Sequence, residues 1–444
     1  MKKSLKIKII VVFFIILMLF LIYTKIKEET DVETISRAKI TSLFEKVDNS
    51  KLAKISKYII YGTHFNLEGT VEIPSISGIK IYSANVVIKN INGEENALNC
   101  TYDYNDGLLS FSTTDKINDG LYLENLSNSN YYIFLKVILS NSEVKYYSLE
   151  NNSKYDNITY YTLTKDNSNN RVDIKFDTYN NISFMGISVS PTDKLPDNVY
   201  DIAIDPGHGG NDSGAKNNGY SESDLVLDCA KILKQNLENS GYKVFLTRDG
   251  TEAKDEPMDS NMYDENGRIN IACESCSKLL LSLHINSNST KLSKGGVEIY
   301  APSNCNLNFA KLLAENIVKT ANTSYSSLST YKEDDGVYVH NFSNAEILAF
   351  KSRAILGKYE PYNITNSTPF LYIIRETGGI ATNAFVDGRN KNYGTNKYYN
   401  SNVGIETYDI ELGYMNIDKD LNNILKNINL YMTAISDSIN KFYK

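Results

Sequence analysis

Asp205-Pro206-Gly207-His208-Gly209-Gly210 and Ser282-Leu283-His284-Ile285-Asn286 are the two stretches on which the reading of this chain turns. The first closes the apolar run 199–204 and the second closes the run 278–283, so each strand-like segment delivers a histidine at its carboxyl end. In open α/β sheets that end faces the crevice where ligands bind. The chain has 4 histidines in all, so two in this setting point to a metal site. A catalytic zinc typically takes three protein ligands and keeps one position for water. Glu222, where the loop Asn217–Ser221 runs into Asp224-Leu-Val-Leu-Asp228, is the candidate third ligand. Taken alone it decides little, because acidic side chains in first helical turns are also favoured by the helix dipole.

Working outward, the texture from about 198 onward alternates between strand and helix patterns. A strand at 199–204 leads through a glycine-rich loop to a helix at about 222–239, which stops at Ser240-Gly241. A strand at 242–247, a helix near 266–277, and strands at 278–284 and 296–300 follow. Helices at about 306–321 and 345–357, strands at 370–374 and 406–410, and a closing helix at about 418–442 complete the series. This order predicts an α/β domain, a mainly parallel twisted sheet with helices on both faces.

Upstream the period changes to two. Val172, Ile174 and Phe176 alternate with Asp173, Lys175 and Asp177, and turn pairs such as Asn92-Gly93 and Asp106-Gly107 punctuate the stretch 57–192. That predicts an all-β, sandwich-like domain, whose expected role is a spacer or a module for wall or partner contact. Ser190–Asn198 reads as a linker, and residues 26–56 as a juxtamembrane helix or stalk. Ahead of them, Lys2, Lys3, Lys6 and Lys8 precede an unbroken apolar run from Ile9 to Tyr23. No small-x-small cleavage site follows, so residues 1–25 read as an uncleaved signal-anchor: one transmembrane helix in the cell membrane, lysine-rich end in the cytoplasm, the remainder outside the membrane.

With 444 residues, 42% of them hydrophobic, the chain can build two or three domains. A net charge of −7 leaves no broad cationic footprint for nucleic acid. The 5 cysteines are irregularly spaced and make no disulfide framework; the lone Cys273-Glu-Ser-Cys276 lacks the second pair a structural zinc site needs.

Ile204–Gly210, Glu222-Ser-Asp-Leu225, Leu246-Thr-Arg-Asp249, Arg268, Ser282–Asn286, Gly296-Val-Glu-Ile-Tyr300 and Ile410-Glu-Leu-Gly-Tyr-Met-Asn416 occur in that order. This set resembles the zinc-dependent N-acetylmuramoyl-L-alanine amidases of the third amidase class, over about 198–444. The resemblance implies that His208, Glu222 and His284 bind Zn2+ and that Glu411 is the catalytic carboxylate. It also implies peptidoglycan as the partner, with hydrolysis of the amide between N-acetylmuramic acid and the L-alanine of the stem peptide. Glu376 is the competing carboxylate, since it too ends an apolar run. A zinc peptidase cutting within the stem peptide and a catalytically degenerate wall-binding protein are the alternative readings.

The stretch 376–404 departs from the family's tighter connection. Arg389 and Tyr393 within it are read either as shaping the substrate groove or as solvated loop residues. Asn286 is expected to orient neighbouring groups rather than bind metal. Arg248 and Arg268 are expected to pair with nearby acids such as Asp249. His64 and His340 are read as structural or surface residues.

Overall fold

The computed structural model describes residues 36–443 except 75–77, 114–119, 165–166, 254–265, 289–293, 358–363 and 380–402, together with positions 18, 23–25 and 27. No helix among the described residues is long and apolar enough to cross a membrane. The run Ile9–Tyr23, on which the anchor reading rests, lies almost wholly outside them.

The β-rich unit starts ten residues earlier than expected, with the long strand Val47–Tyr61. Among the described residues of the expected stalk, Lys27 and residues 36–44 are helical, and 36–44 are not free of the unit. Phe44 packs its ring 5.1–5.8 Å from Tyr132, Phe134, Tyr179 and Phe184, so the helix covers one outer face of the sheet. The strands join into a single branched thirteen-stranded sheet instead of two separate ones. Branching centres on Ser129–Leu139. One of its edges pairs with Ile81–Asn90, and the other is divided between Ile182–Thr192 and Val144–Asn151. The curled sheet encloses Ile55, Tyr58, Phe65, Ile133, Leu135 and Ile187. Asp106 (φ 47°) and Gly107 (φ 86°) turn the hairpin between Thr101–Asn105 and Leu108–Ser112, the conformation an Asp-Gly pair supplies.

The second unit is a seven-stranded mixed sheet. Its strands are β1 (Ile202–Pro206), β2 (Val244–Leu246), β3 (Leu279–Asn286), β4 (Glu298–Tyr300), β5 (Lys332–Asp334), β6 (Val337–Tyr338) and β7 (Glu406–Tyr414). The spatial order is β2-β1-β3-β7-β4-β6-β5. β2, β1, β3 and β7 run parallel, and β4 is antiparallel to β7. Helices α1 (Glu222–Asn239), α3 (Asn308–Thr320) and α6 (Asp418–Phe442) cover one face, against Leu279, Leu281, Leu283 and Ile285 of β3. On the other face, α2 (Arg268–Glu274) and α5 (Tyr372–Thr377) cover Ala203, Leu280 and Ile405, near the amino ends of the strands. Helix α4 (Asn344–Gly357) lies beyond the β6 side, Phe350 packing on Phe342 and Ile364.

The expected strand at 370–374 is helix α5. Its β-branched run packs Ile373 and Ile374 onto the sheet face, while Arg375 is buried and donates to the carbonyls of Pro369 and Phe370. Tertiary burial overrode local propensity there.

The two units are joined at the amino ends of β1, β3 and β7. Val403–Gly404 pairs in parallel with Ile60–Tyr61 of the β-rich unit, Gly62 N–H donates to the Gly404 carbonyl at 3.0 Å, and Thr164 N–H donates to Asp201 at 2.9 Å. Lys278 is buried there, 3.9 Å from Asp201. A Cβ at Gly62 would stand 2.8 Å from Glu406 Oε2, so this turn tolerates no side chain. The histidine-bearing ends of β1 and β3 lie at the opposite end of the sheet.

Candidate metal centre

Period-two alternation builds the site. On β3 the residues 279, 281, 283 and 285 face the three helices, which places Leu280, Ser282, His284 and Asn286 on the other face. That series turns from apolar to polar toward the carboxyl end. Register extends it sideways: Asp205 pairs with Ser282, Ser282 with Asp409, His284 with Glu411, and Glu411 with Glu298. The half of this face toward the carboxyl ends is therefore a field of polar side chains, with Asp205, Ser282, Glu298 and Asp409 buried.

His208 leaves β1 in the left-handed region at φ 62°, followed by Gly209 (φ 120°) and Gly210 (φ 57°). Such backbone is unusual for a residue other than glycine and clusters at functional sites. The chain returns as a short hairpin, Lys216–Asn217 with Tyr220–Ser221, into α1, where Ser221 caps the helix by accepting from Asp224 N–H. Glu222 is the first residue of α1 and only 5% exposed.

The three sequence-predicted ligands converge. Glu222 Oε1 lies 3.0 Å from His208 Nε2 and 3.1 Å from His284 Nδ1, and one ligand atom from each residue falls within 4.8 Å of the others. The imidazoles meet edge to face with centroids 4.9 Å apart. Two glycines give them room: a Cβ at Gly207 would sit 2.2 Å from His284 Cε1, and one at Gly214 would sit 2.6 Å from Glu222 Oε2.

Neighbouring groups fix the cluster. His208 Nδ1 bonds Asp212 Oδ2 at 2.8 Å, which turns Nε2 toward Glu222; Asp212 Oδ1 in turn accepts from Gly214 N–H. Glu222 also accepts from Ile285 N–H and Ala215 N–H, both at 3.0 Å. Arg248 donates to the Pro206, Gly207 and Ser223 carbonyls at 2.8, 2.9 and 2.6 Å, and to Glu252 at 3.0 Å. Arg268 meets both oxygens of Asp205, at 2.7 and 2.6 Å, and Asp205 also accepts from Thr247 and Ser282. Neither arginine takes the expected Asp249. Asn286 donates to Glu298 at 2.9 Å, the orienting role anticipated for it.

Burial works against ionisation of Glu222, but the two imidazoles outweigh it and hold the carboxyl well below the usual range. Burial likewise disfavours charged His284; Asp409 and Glu222 prevail and raise its pKa. Glu411 is pushed well above the ordinary value by burial and by the charges of Asp409, Glu222 and Glu298.

Buried Asp409 Oδ1 and Glu411 Oε2 have no hydrogen-bond partner among the described residues. Two imidazoles, a carboxylate and two further buried carboxyl oxygens without donors at one sheet edge fit a divalent cation, and a donor set of two histidines with one carboxylate suits zinc. Glu411 stands on the strand beside His284, where a carboxyl can exchange protons with water or substrate.

Glu376 does not join them: it sits on α5, fully buried, bonded by Arg375 Nε at 3.2 Å. His64 is buried in the β-rich unit, its ring tilted at 34° against that of Tyr122. His340 is sandwiched between Tyr331 and Phe370 and bonds Glu346. All five cysteines are free thiols. Arg389 and Tyr393 lie outside the described residues; of the flanks of that stretch, Gly404 pairs with Tyr61 of the β-rich unit and Gly378 packs against Gly404. Sequence reading missed Asp205, Asp212, Glu298 and Asp409; the even-numbered series on β3, continued in register onto β1, β7 and β4, carried the signal for Asp205, Asp409 and Glu298.

Residues 202–441 match the N-acetylmuramoyl-L-alanine amidase family. Among curated relatives, N-acetylmuramoyl-L-alanine amidase LytC of Bacillus subtilis is 36% identical over 116 residues, 26% of this chain and 21% of its own length. N-acetylmuramoyl-L-alanine amidase AmiA of Escherichia coli is 35% identical over 104 residues, 23% of this chain and 32% of its own. The aligned stretches thus span about a fifth to a third of these relatives. Among solved structures, N-acetylmuramoyl-L-alanine amidase AmiC2 of Nostoc punctiforme aligns with a TM-score of 0.35 at 21% identity, covering 56% of this chain and 98% of that one. With the family match extending over more than half of its residues, the chain belongs to the N-acetylmuramoyl-L-alanine amidase family.

Proposed function

We propose that this protein is a zinc-dependent peptidoglycan amidase that hydrolyses the bond between the lactyl group of N-acetylmuramic acid and the L-alanine of the stem peptide. The carrying observation is the meeting of His208, Glu222 and His284 within 4.8 Å, with Glu411 in register beside His284. These three residues would hold the cation. When bound, Zn2+ supplies Lewis acidity toward the scissile carbonyl and lowers the pKa of water.

The remaining steps belong to the chain. Burial, Asp409, Glu222 and Glu298 together keep the proton on Glu411; with a cation held by the cluster, the charge part of that effect would be offset and the base form favoured. Glu411 then takes a proton from the attacking water and gives it to the leaving amine as the tetrahedral intermediate collapses. Asp212 and Arg248 keep His208 and Glu222 in place throughout. Residues 1–25 would anchor the enzyme in the membrane with the catalytic unit in the wall, a reading supported by the lysine-flanked apolar run alone.

Mass spectrometry of digested muropeptides tests the reaction. The proposal expects free stem peptides beginning in L-alanine, and none from Glu411→Gln that retains zinc. Cleavage within the stem peptide would instead establish the peptidase reading, and equal turnover by Glu411→Gln would remove the catalytic role of that residue.

A further inference from the structure

Asp409 belongs to no step above, yet the fold keeps it under conditions that demand an explanation. It precedes Glu411 by two residues on β7 and shares its face. It pairs in register with Ser282, two residues before His284 on β3. Only 6% of it is exposed, and Oδ1 is buried with no hydrogen-bond partner among the described residues.

Three nearby donors bond other carboxylates, and buried Arg268 Nε has no hydrogen-bond partner among the described residues. The Ser282 hydroxyl and Arg268 Nη1 go to Asp205, and the Tyr300 hydroxyl goes to Glu298. A buried carboxyl without donors is costly unless positive charge stands nearby. Such a place lies diagonally across the register: the strand partner of Asp409 is Ser282, two residues before His284, and the partner of His284 is Glu411, two residues after Asp409.

The two ligand histidines are also supported unequally. His208 has an orienting carboxylate outside the cluster in Asp212. The partner of His284 Nδ1 is Glu222, which is itself one of the three candidate ligands. Ligand histidines ordinarily depend on a further acidic or carbonyl group beyond the metal shell.

We propose that Asp409 is a positioning residue of the metal centre, the buried counter-charge that steadies His284 and strengthens the hold of the His208–Glu222–His284 cluster on a divalent cation. The proposal rests on the metal reading given above. It assigns Asp409 no contact with substrate.

Zinc affinity of the full chain, read by competition with a chromophoric chelator near neutral pH, tests it alongside thermal unfolding of the metal-free protein. Asp409→Asn should weaken zinc binding by about 10–100-fold. The same variant should leave the metal-free unfolding midpoint unchanged or higher, because an unpartnered buried charge is gone. Asp409→Ser should behave alike, and Asp409→Glu, which restores the charge, should recover most of the affinity. Affinity within twofold of wild type in both neutral variants overturns the proposal while the metal reading stands. Weakened binding that tracks a lowered metal-free midpoint, with no recovery in Asp409→Glu, overturns it in favour of a packing role. A wild-type chain that takes up no zinc removes the metal reading and this proposal with it.

Discussion

Replacing Arg248 by methionine should damage the centre without touching any candidate ligand. The guanidinium is 7% exposed and donates to the carbonyls of Pro206 and Gly207, which lead directly into His208, and to that of Ser223, which directly follows Glu222. One planar group therefore ties the main chain of the first ligand to that of the second. A hydrogen bond from a charged donor contributes about 1.5–3 kcal/mol net, so three amount to roughly 4–9 kcal/mol before correction. Methionine fills much of the same volume and needs no desolvated charge, which returns part of that sum. The net cost should be about 3–5 kcal/mol, the range found on breaking buried ion pairs. Arg248→Lys keeps the charge but presents a point donor in place of a fork, and should recover less than half. Urea denaturation of the metal-free protein and zinc competition read the two consequences separately. Loosened ligands should also cost at least about a hundredfold in zinc affinity, equivalent to about 2.7 kcal/mol. An Arg248→Met protein that unfolds at the wild-type midpoint and binds zinc within threefold of wild type would refute the clamp.

Gly207→Ala should abolish zinc uptake while leaving the β-rich unit folded, because the added Cβ would stand 2.2 Å from the His284 ring; retained stoichiometric zinc would show that the ring has somewhere else to go. His64 supplies a pH effect far from the site. Burial lowers its pKa from 6.5 to about 4, so below pH 6.5 the unfolded chain accepts a proton that the folded chain refuses. Stability should hold above that pH and fall by about 3 kcal/mol on descending to pH 4; His64→Gln should flatten this slope, and an unaltered slope would locate its origin elsewhere. A fragment beginning at residue 198 should unfold about 5–10 °C below the full chain. It loses the Thr164–Asp201 bond, the strand partner of Val403–Gly404 and the cover over Lys278. Equal midpoints would mean that the junction is energetically idle.

Much of this was legible because local signals and tertiary demand agreed. Helix α1 spans Glu222–Asn239, stopping at Ser240-Gly241 as expected, and α6 spans Asp418–Phe442, the bounds expected for the closing helix. The convergence of His208, Glu222 and His284 could be anticipated because each sits where a strand or loop meets the sheet edge. Arg268 illustrates the limit: its partner, Asp205, is 63 residues away, and only strand register discloses the pairing. The segment 370–374 misled for a related reason, since Ile373 and Ile374 are equally suited to a buried strand or to a short helix on a sheet face. The stalk reading failed at Val47, where apolar positions spaced as on a helix face instead continue into a strand that closes the β-rich core. The placement of one unit on the amino ends of the other's strands is written in long-range pairings that no local pattern records.

The most direct test of the central claim is metal analysis of the full chain with each candidate ligand replaced in turn. The account predicts one equivalent of zinc in the wild type, and its loss in His208→Ala, Glu222→Ala and His284→Ala with the secondary structure intact. A wild-type chain without bound zinc, or a His284→Ala chain that keeps a full equivalent, would contradict it.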